Sequence, residues 1–184
     1  MGLIDYLKIQ SSNGMGNDNR VFIIPYDDID TVTFDNDDTV TGITLHSNKE
    51  WTRLEADINS VIYSSSGDQS VTYFSDQDLI IDFTGKSKET EKTINSIKDE
   101  INEGLVIIRL DGNHKGWISG ISIPRDSYIN MPWNEVSDNF NSGETIEDTE
   151  EGNKYSLTFK RSSGVKEYLL HSDIVNAFWD WKAA

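Results

Sequence analysis

The chain has 184 residues, with 32 acidic against 16 basic side chains and a formal net charge of −16. That length suits about one domain, and such an acid excess argues against sequence-independent binding to DNA phosphates, which needs clustered Lys and Arg. No cysteine is present, so disulfides, thiolate metal sites and cysteine nucleophiles are excluded together, while five Trp, seven Tyr and seven Phe separate the chain from acidic disordered sequences.

Residues 1–19 read as an arm, ending in a Gly/Asn-rich stretch over 11–19. There is no basic segment followed by an apolar run, and Tyr6 breaks the myristoylation pattern. The longest apolar runs, 21–24 and 105–108, are too short to cross a bilayer, so a soluble product without membrane contact is expected.

Residues 20–26 (RVFIIPY) predict a strand whose Pro25 pushes it toward a sheet edge. Asp27, Asp28 and Asp30 follow. Then 31–34 and 39–46 predict a β-hairpin around the turn Asp35-Asn36-Asp37-Asp38. Residues 50–62 fit strand or helix, 64–70 a loop, and 71–74 and 78–83 two strands. The spacing of Ile94, Ile97 and Ile101 predicts one helix over 88–103, stopped by Gly104. Residues 105–110 (LVIIRL) predict a central strand, with 116–123 as its hairpin partner.

Residues 124–151 show no sustained period and end in an acidic tract containing Glu144, Glu147, Asp148, Glu150 and Glu151. A segment of that length suggests an assembly loop. Residues 154–160 alternate cleanly as a strand, and 167–170 are expected to close a hairpin with it. The remainder, 172–184, reads as an aromatic C-terminal arm. The sum is one mainly β domain over 1–184, a β-sandwich or small β-barrel with one packed α-helix.

No constellation demands catalysis. His46, His114 and His171 lack metal-ligand spacing. The Asp35 turn has Thr39 and Val40 where a calcium loop needs an oxygen ligand and a glycine. The 14–19 stretch lacks the third glycine of a dinucleotide loop. Ser119 lacks the glycine two residues before it that a nucleophile elbow requires. The expectation is a protein that is not an enzyme, with no catalytic residue, metal or cofactor. Trp133, Phe140, Phe178, Trp179 and Trp181 remain as candidate interface anchors, because aromatic side chains are enriched at interface centres.

The order of RVFIIPYDDID (20–30), VTGITL (40–45), Lys49-Glu50-Trp51, a single helix, GLVIIRLDGNHKGWISG (104–120), Phe140-Asn141-Ser142-Gly143 and NKYSLTFKRSSG (153–164) resembles the tail-tube-like and tail-associated structural proteins of bacteriophages of gut bacteria, including crAss-like phages. The resemblance covers 20–170 and departs at His114-Lys115 and over 124–139. It implies a sandwich or barrel flanked by one helix, closing into a sixfold or twelvefold ring of the tail, neck or tail hub. Its partners would be copies of itself and other tail or neck proteins, within a virion assembled in the host cytoplasm. DNA would pass through without specific binding. Carboxylates suit such a channel, with Asp27, Asp28, Asp30, Asp35, Asp37 and Asp38 or the Glu144–Glu151 tract as the lumen acids, one group and not both. The alternatives are a carbohydrate-binding β-sandwich with Trp117 or Trp133 as its platform, then an acidic DNA mimic.

Overall fold

The computed structural model describes residues 20–55, 61–66, 75–84, 88–121, 131–141, 154–164 and 167–181. The fold is mainly β, a sandwich with a packed helix. Its strands are β1 (Arg20–Pro25), β2 (Ile29–Phe34), β3 (Val40–Leu45), β4 (Thr52–Glu55), β5 (Val61–Ser66) and β6 (Ser75–Thr84). After α1 (Lys88–Glu100) come β7 (Leu105–Leu110), β8 (Gly116–Ser119), β9 (Glu135–Asn141), β10 (Lys154–Ser163) and β11 (Tyr168–Leu169), then α2 (Ser172–Trp179). They form a five-stranded sheet in the order β11-β8-β7-β1-β4, a four-stranded sheet β5-β6-β10-β9 and the β2-β3 hairpin, all with antiparallel pairing.

The five-stranded sheet is the middle of three layers. Successive side chains of a strand point to opposite faces, and here both faces are covered. Val21, Ile23, Leu105 and Ile107 enter one core with Leu79, Ile81, Leu157 and Phe159 of the four-stranded sheet. Phe22, Ile24, Val106, Ile108 and Leu110 enter a second core under α2 and the hairpin. Strands buried on both faces have no reason to alternate, which is why RVFIIP and LVIIRL are nearly continuous apolar runs.

The helix expected over 88–103 is present as α1 continued by one 3-10 turn over Ile101–Glu103, and Ile94, Ile97 and Ile101 are buried in the first core. Lys98 bonds Asp138 of β9, fixing α1 at the β9 margin.

Several expectations are corrected. Pro25 does not mark an edge: β1 lies between β4 and β7, and Pro25 ends it opposite Leu105. The ambiguous 50–62 segment contains β4 and the start of β5, which runs through Ser66 into the stretch expected to be a loop. The 71–74 strand lies outside the described residues. The 124–151 assembly loop contains β9, seven residues paired in register with β10. β10 and β11 are not a hairpin, because β10 belongs to the four-stranded sheet and β11 to the five-stranded one. The C-terminal arm is a helix: His171 accepts the Asp173 amide at 3.4 Å to cap α2, and Val175 and Phe178 are buried.

Candidate functional site

The β2-β3 hairpin is the most distinctive surface. Between Arg20 and Lys49 the sequence holds six Asp and no Lys or Arg. One hairpin face is apolar, with Ile29, Val32, Phe34, Ile43 and Leu45 packed on the second core. The other face exposes Thr31, Thr33, Thr41 and Thr44. Thr31 and Thr44 stand opposite each other, their hydroxyl oxygens 2.5 Å apart, and those of Thr33 and Thr41 are 3.3 Å apart. The register shifts twice, between Ile29 and Thr31 and between Thr33 and Phe34, so Asp30 and Thr41 are each an additional residue in their strand. Gly42 permits the second shift, since a Cβ there would sit 2.6 Å from the Thr33 hydroxyl.

The six carboxylates divide between the two ends of this hairpin. Asp27 and Asp28 lie in the 3-10 turn before β2, with Asp30 just inside the strand. Asp35, Asp37 and Asp38 occupy the turn at its far end, roughly 17 Å away at the usual rise per residue. Their duties differ. Asp28 pairs with Lys49 at 2.7 Å and holds the Lys49 ammonium pKa above its ordinary value, through the hydrogen bond first and the charge second. Asp35 shapes the turn by accepting the Asp37 and Thr39 amides at 2.8 and 2.9 Å. Asp30 accepts from Thr44 at 3.4 Å. Asp27, Asp30, Asp37 and Asp38 are exposed to solvent.

The second group, Glu144, Glu147, Asp148, Glu150 and Glu151, lies outside the described residues. The strands on either side of it, β9 and β10, are paired up to Asn141 and Lys154. β9 and β10 belong to the four-stranded sheet.

The candidate interface anchors are mostly used inside the domain. Trp133 is 0% exposed: it is a core residue and not a surface anchor. Its backbone pairs with Leu105, its indole N–H donates to Ser119 Oγ at 2.9 Å, and Arg161 lies 4.8 Å from its ring centroid. Phe178 is buried between Phe22 and Trp51, at centroid distances of 4.8 and 5.4 Å. Trp181 stacks on Phe178 at 6.0 Å. Arg20 caps the end of α2 by donating to the Trp179 carbonyl, with its guanidinium 4.6 Å from the Trp179 ring. Arg53 donates to the Trp181 carbonyl at 3.4 Å. Cations suit the carbonyl end of a helix, so this tail is clamped into its own domain. The backbone of Phe140 pairs with Tyr155; its side chain lies outside the described residues.

Sequence reasoning passed over a polar cluster at the β5 side of the sandwich. Arg109 forms a bidentate pair with Glu167, its Nε and Nη2 donating at 3.0 and 2.8 Å, and lies 4.2 Å from the Trp117 ring and 5.3 Å from Tyr63. Tyr63 donates to Gln77 Oε1 at 3.1 Å, which also accepts from Arg161 Nε at 2.8 Å. Burial, helped by the Glu167 charge, pushes the Tyr63 phenol up to about 12. Burial also lowers the Arg161 guanidinium to about 10. An arginine within an apolar strand is the sequence signal that finds it, at Arg109 and Arg161.

Among the described residues, no group of three or more His, Asp or Glu side chains is arranged to hold a metal ion. No family model matches the chain, and no curated protein or solved structure matches it either.

Proposed function

We propose that the protein is a non-enzymatic virion component that forms a ring of a phage tail, neck or tail hub, with the β2-β3 hairpin turned toward the channel. The observation that carries this reading is the exposed hairpin face, composed of threonine hydroxyls and carboxylates with no cation in the intervening sequence. Duplex DNA is held by Lys and Arg contacts to its phosphates. A wall without them offers no such attachment, and fixed carboxylates repel phosphates over about a Debye length, ~8 Å at physiological salt. A ring has one lumen, and the reading assigns the hairpin acids to it. Asp27, Asp30, Asp37 and Asp38 supply the field, while Asp28 and Asp35 hold the local backbone.

A carbohydrate-binding reading is weaker, because Trp133 is buried and Trp117 carries Arg109 against its ring. Negative-stain microscopy of the purified chain tests the proposal. Closed rings with a central opening are expected. The double variant Asp37→Lys, Asp38→Lys should still form them but retain duplex DNA in a low-salt gel-shift assay, where the parent protein does not. An absence of rings at every protein concentration would overturn the proposal.

A further inference from the structure

β10 outruns one of its neighbours. Its pairing with β9 ends at Lys160 opposite Glu135, whereas its pairing with β6 continues to Ser163 opposite Ser75. The chain at 131–134 turns inward instead, where Trp133 pairs with Leu105. At this gap a cavity of about 760 Å³ opens, extending over β6. Cavities of about 300–1,000 Å³ are usual for small ligands. Arg161, 3% exposed, forms part of the wall and spans the gap: its Nε donates to Gln77 Oε1 at 2.8 Å and its Nη1 to the Met131 carbonyl at 2.9 Å. The wall is therefore fixed by the fold before any ligand arrives.

The outward side chains around the cavity carry both signs. Lys160 stands directly opposite Asp78 on one side and Glu135 on the other, so the three share the outer face of the sheet. All three line the cavity, with Asp76 and Asn134 beside them. Among the described residues, none of the three side chains forms a hydrogen bond or an ion pair, although Lys160 has a carboxylate on each side. This mixture selects against most ligand classes. A polyanion meets Asp76, Asp78 and Glu135, and a polyamine meets Lys160 and Arg161. An apolar molecule strips water from charged groups without pairing them. A hydroxyl group both donates and accepts, so an array of hydroxyls can donate to Asp78 and Glu135 while accepting from Lys160 and the Asn134 amide. Met131, 38% exposed, is the apolar member of the lining and offers a surface for the C–H face of a sugar ring.

From this cavity and its unpaired mixed charges we infer that the notch beside β10 binds a short neutral saccharide. Asp78, Glu135, Lys160 and Asn134 are its hydrogen-bonding groups, and Arg161 is a positioning residue that holds the 131–134 segment. The site uses neither Trp117 nor Trp133, and it does not depend on the ring.

Saturation-transfer NMR on the full chain at neutral pH tests the site with four neutral probes: maltotriose, cellotriose, mannotriose and N-acetylated chitotriose. At least one should receive saturation. Lys160→Met and Glu135→Gln, both at exposed positions, should each raise that probe's Kd about fivefold or more, with thermal melts matching the parent. Lys115→Met, on the turn between β7 and β8, should bind as the parent does. No transfer to any of the four probes overturns the inference, as does a Kd unchanged in both cavity variants. Rings are scored separately by microscopy, so their absence leaves this result standing.

Discussion

Trp133 is tied to the five-stranded sheet by Ser119: the indole N–H of Trp133, two residues before β9, donates to the Ser119 hydroxyl of β8 at 2.9 Å, and both side chains are buried. Trp133 therefore anchors this domain and not a neighbour. Trp133→Ala should destabilise the fold by about 3–5 kcal/mol in denaturant titration. Ser119→Ala should cost about 1–3 kcal/mol, because it strands a buried donor. Near-wild-type stability of Trp133→Ala would contradict the core placement.

The α1 stripe makes a second prediction. Ile97 is 0% exposed between the helix and the first core, so Ile97→Ala should cost roughly 2–5 kcal/mol. Replacing exposed Asn95 with Ala on the same helix should change stability by less than about 0.5 kcal/mol. Equal effects at the two positions would refute the helix's orientation.

Removal of residues 172–184 should unfold the protein rather than merely prevent its assembly. The deletion takes away Val175 and Phe178 from the second core and leaves Phe22 and Trp51 uncovered. Circular dichroism should show loss of cooperative melting. A truncated chain that melts like the parent would return this segment to the role of an arm.

Gly120 sits at φ +95°, and a Cβ there would lie 2.6 Å from the Leu105 carbonyl oxygen. Gly120→Ala should therefore destabilise by more than about 1 kcal/mol, since both the backbone angle and the close approach oppose it. A neutral effect on the melting temperature would show that this turn adopts another conformation.

Tyr63 supplies a pH signature. In ultraviolet difference titration, the parent protein minus Tyr63→Phe should show a phenol ionising near 12 rather than 10, chiefly because it is partly desolvated. A folded-state pKa raised above the unfolded one means that the stabilising contribution is complete below about pH 10 and is lost as pH climbs through 12. The stability advantage of the parent over Tyr63→Phe should shrink across that window. Burial shifts the Arg161 guanidinium in the opposite direction and Tyr63 counters that shift, so Tyr63→Phe alters Arg161 as well.

The parts of the fold that were readable in the sequence are those where pattern and burial coincide. Ile94, Ile97 and Ile101 mark one helix face, and LVIIRL marks a strand with no solvent side. β9 escaped because its period is disguised: Asp138 stands in register with buried Leu157 and is satisfied by Lys98 from another element. α2 left a signal in the spacing of Ile174, Val175, Phe178 and Trp179 behind a capping His171, but eight residues give a short period. The acids of the hairpin were visible as residues. Their division between its two ends, and the turn-forming duty of Asp35, depend on β2-β3 pairing that composition does not encode.

Native mass spectrometry of the full-length chain at low micromolar concentration tests the ring most directly. A closed species of six or twelve copies of the 20.8 kDa chain is expected, with no ladder of open intermediates at higher concentration. A single 20.8 kDa species that persists as concentration rises would contradict it.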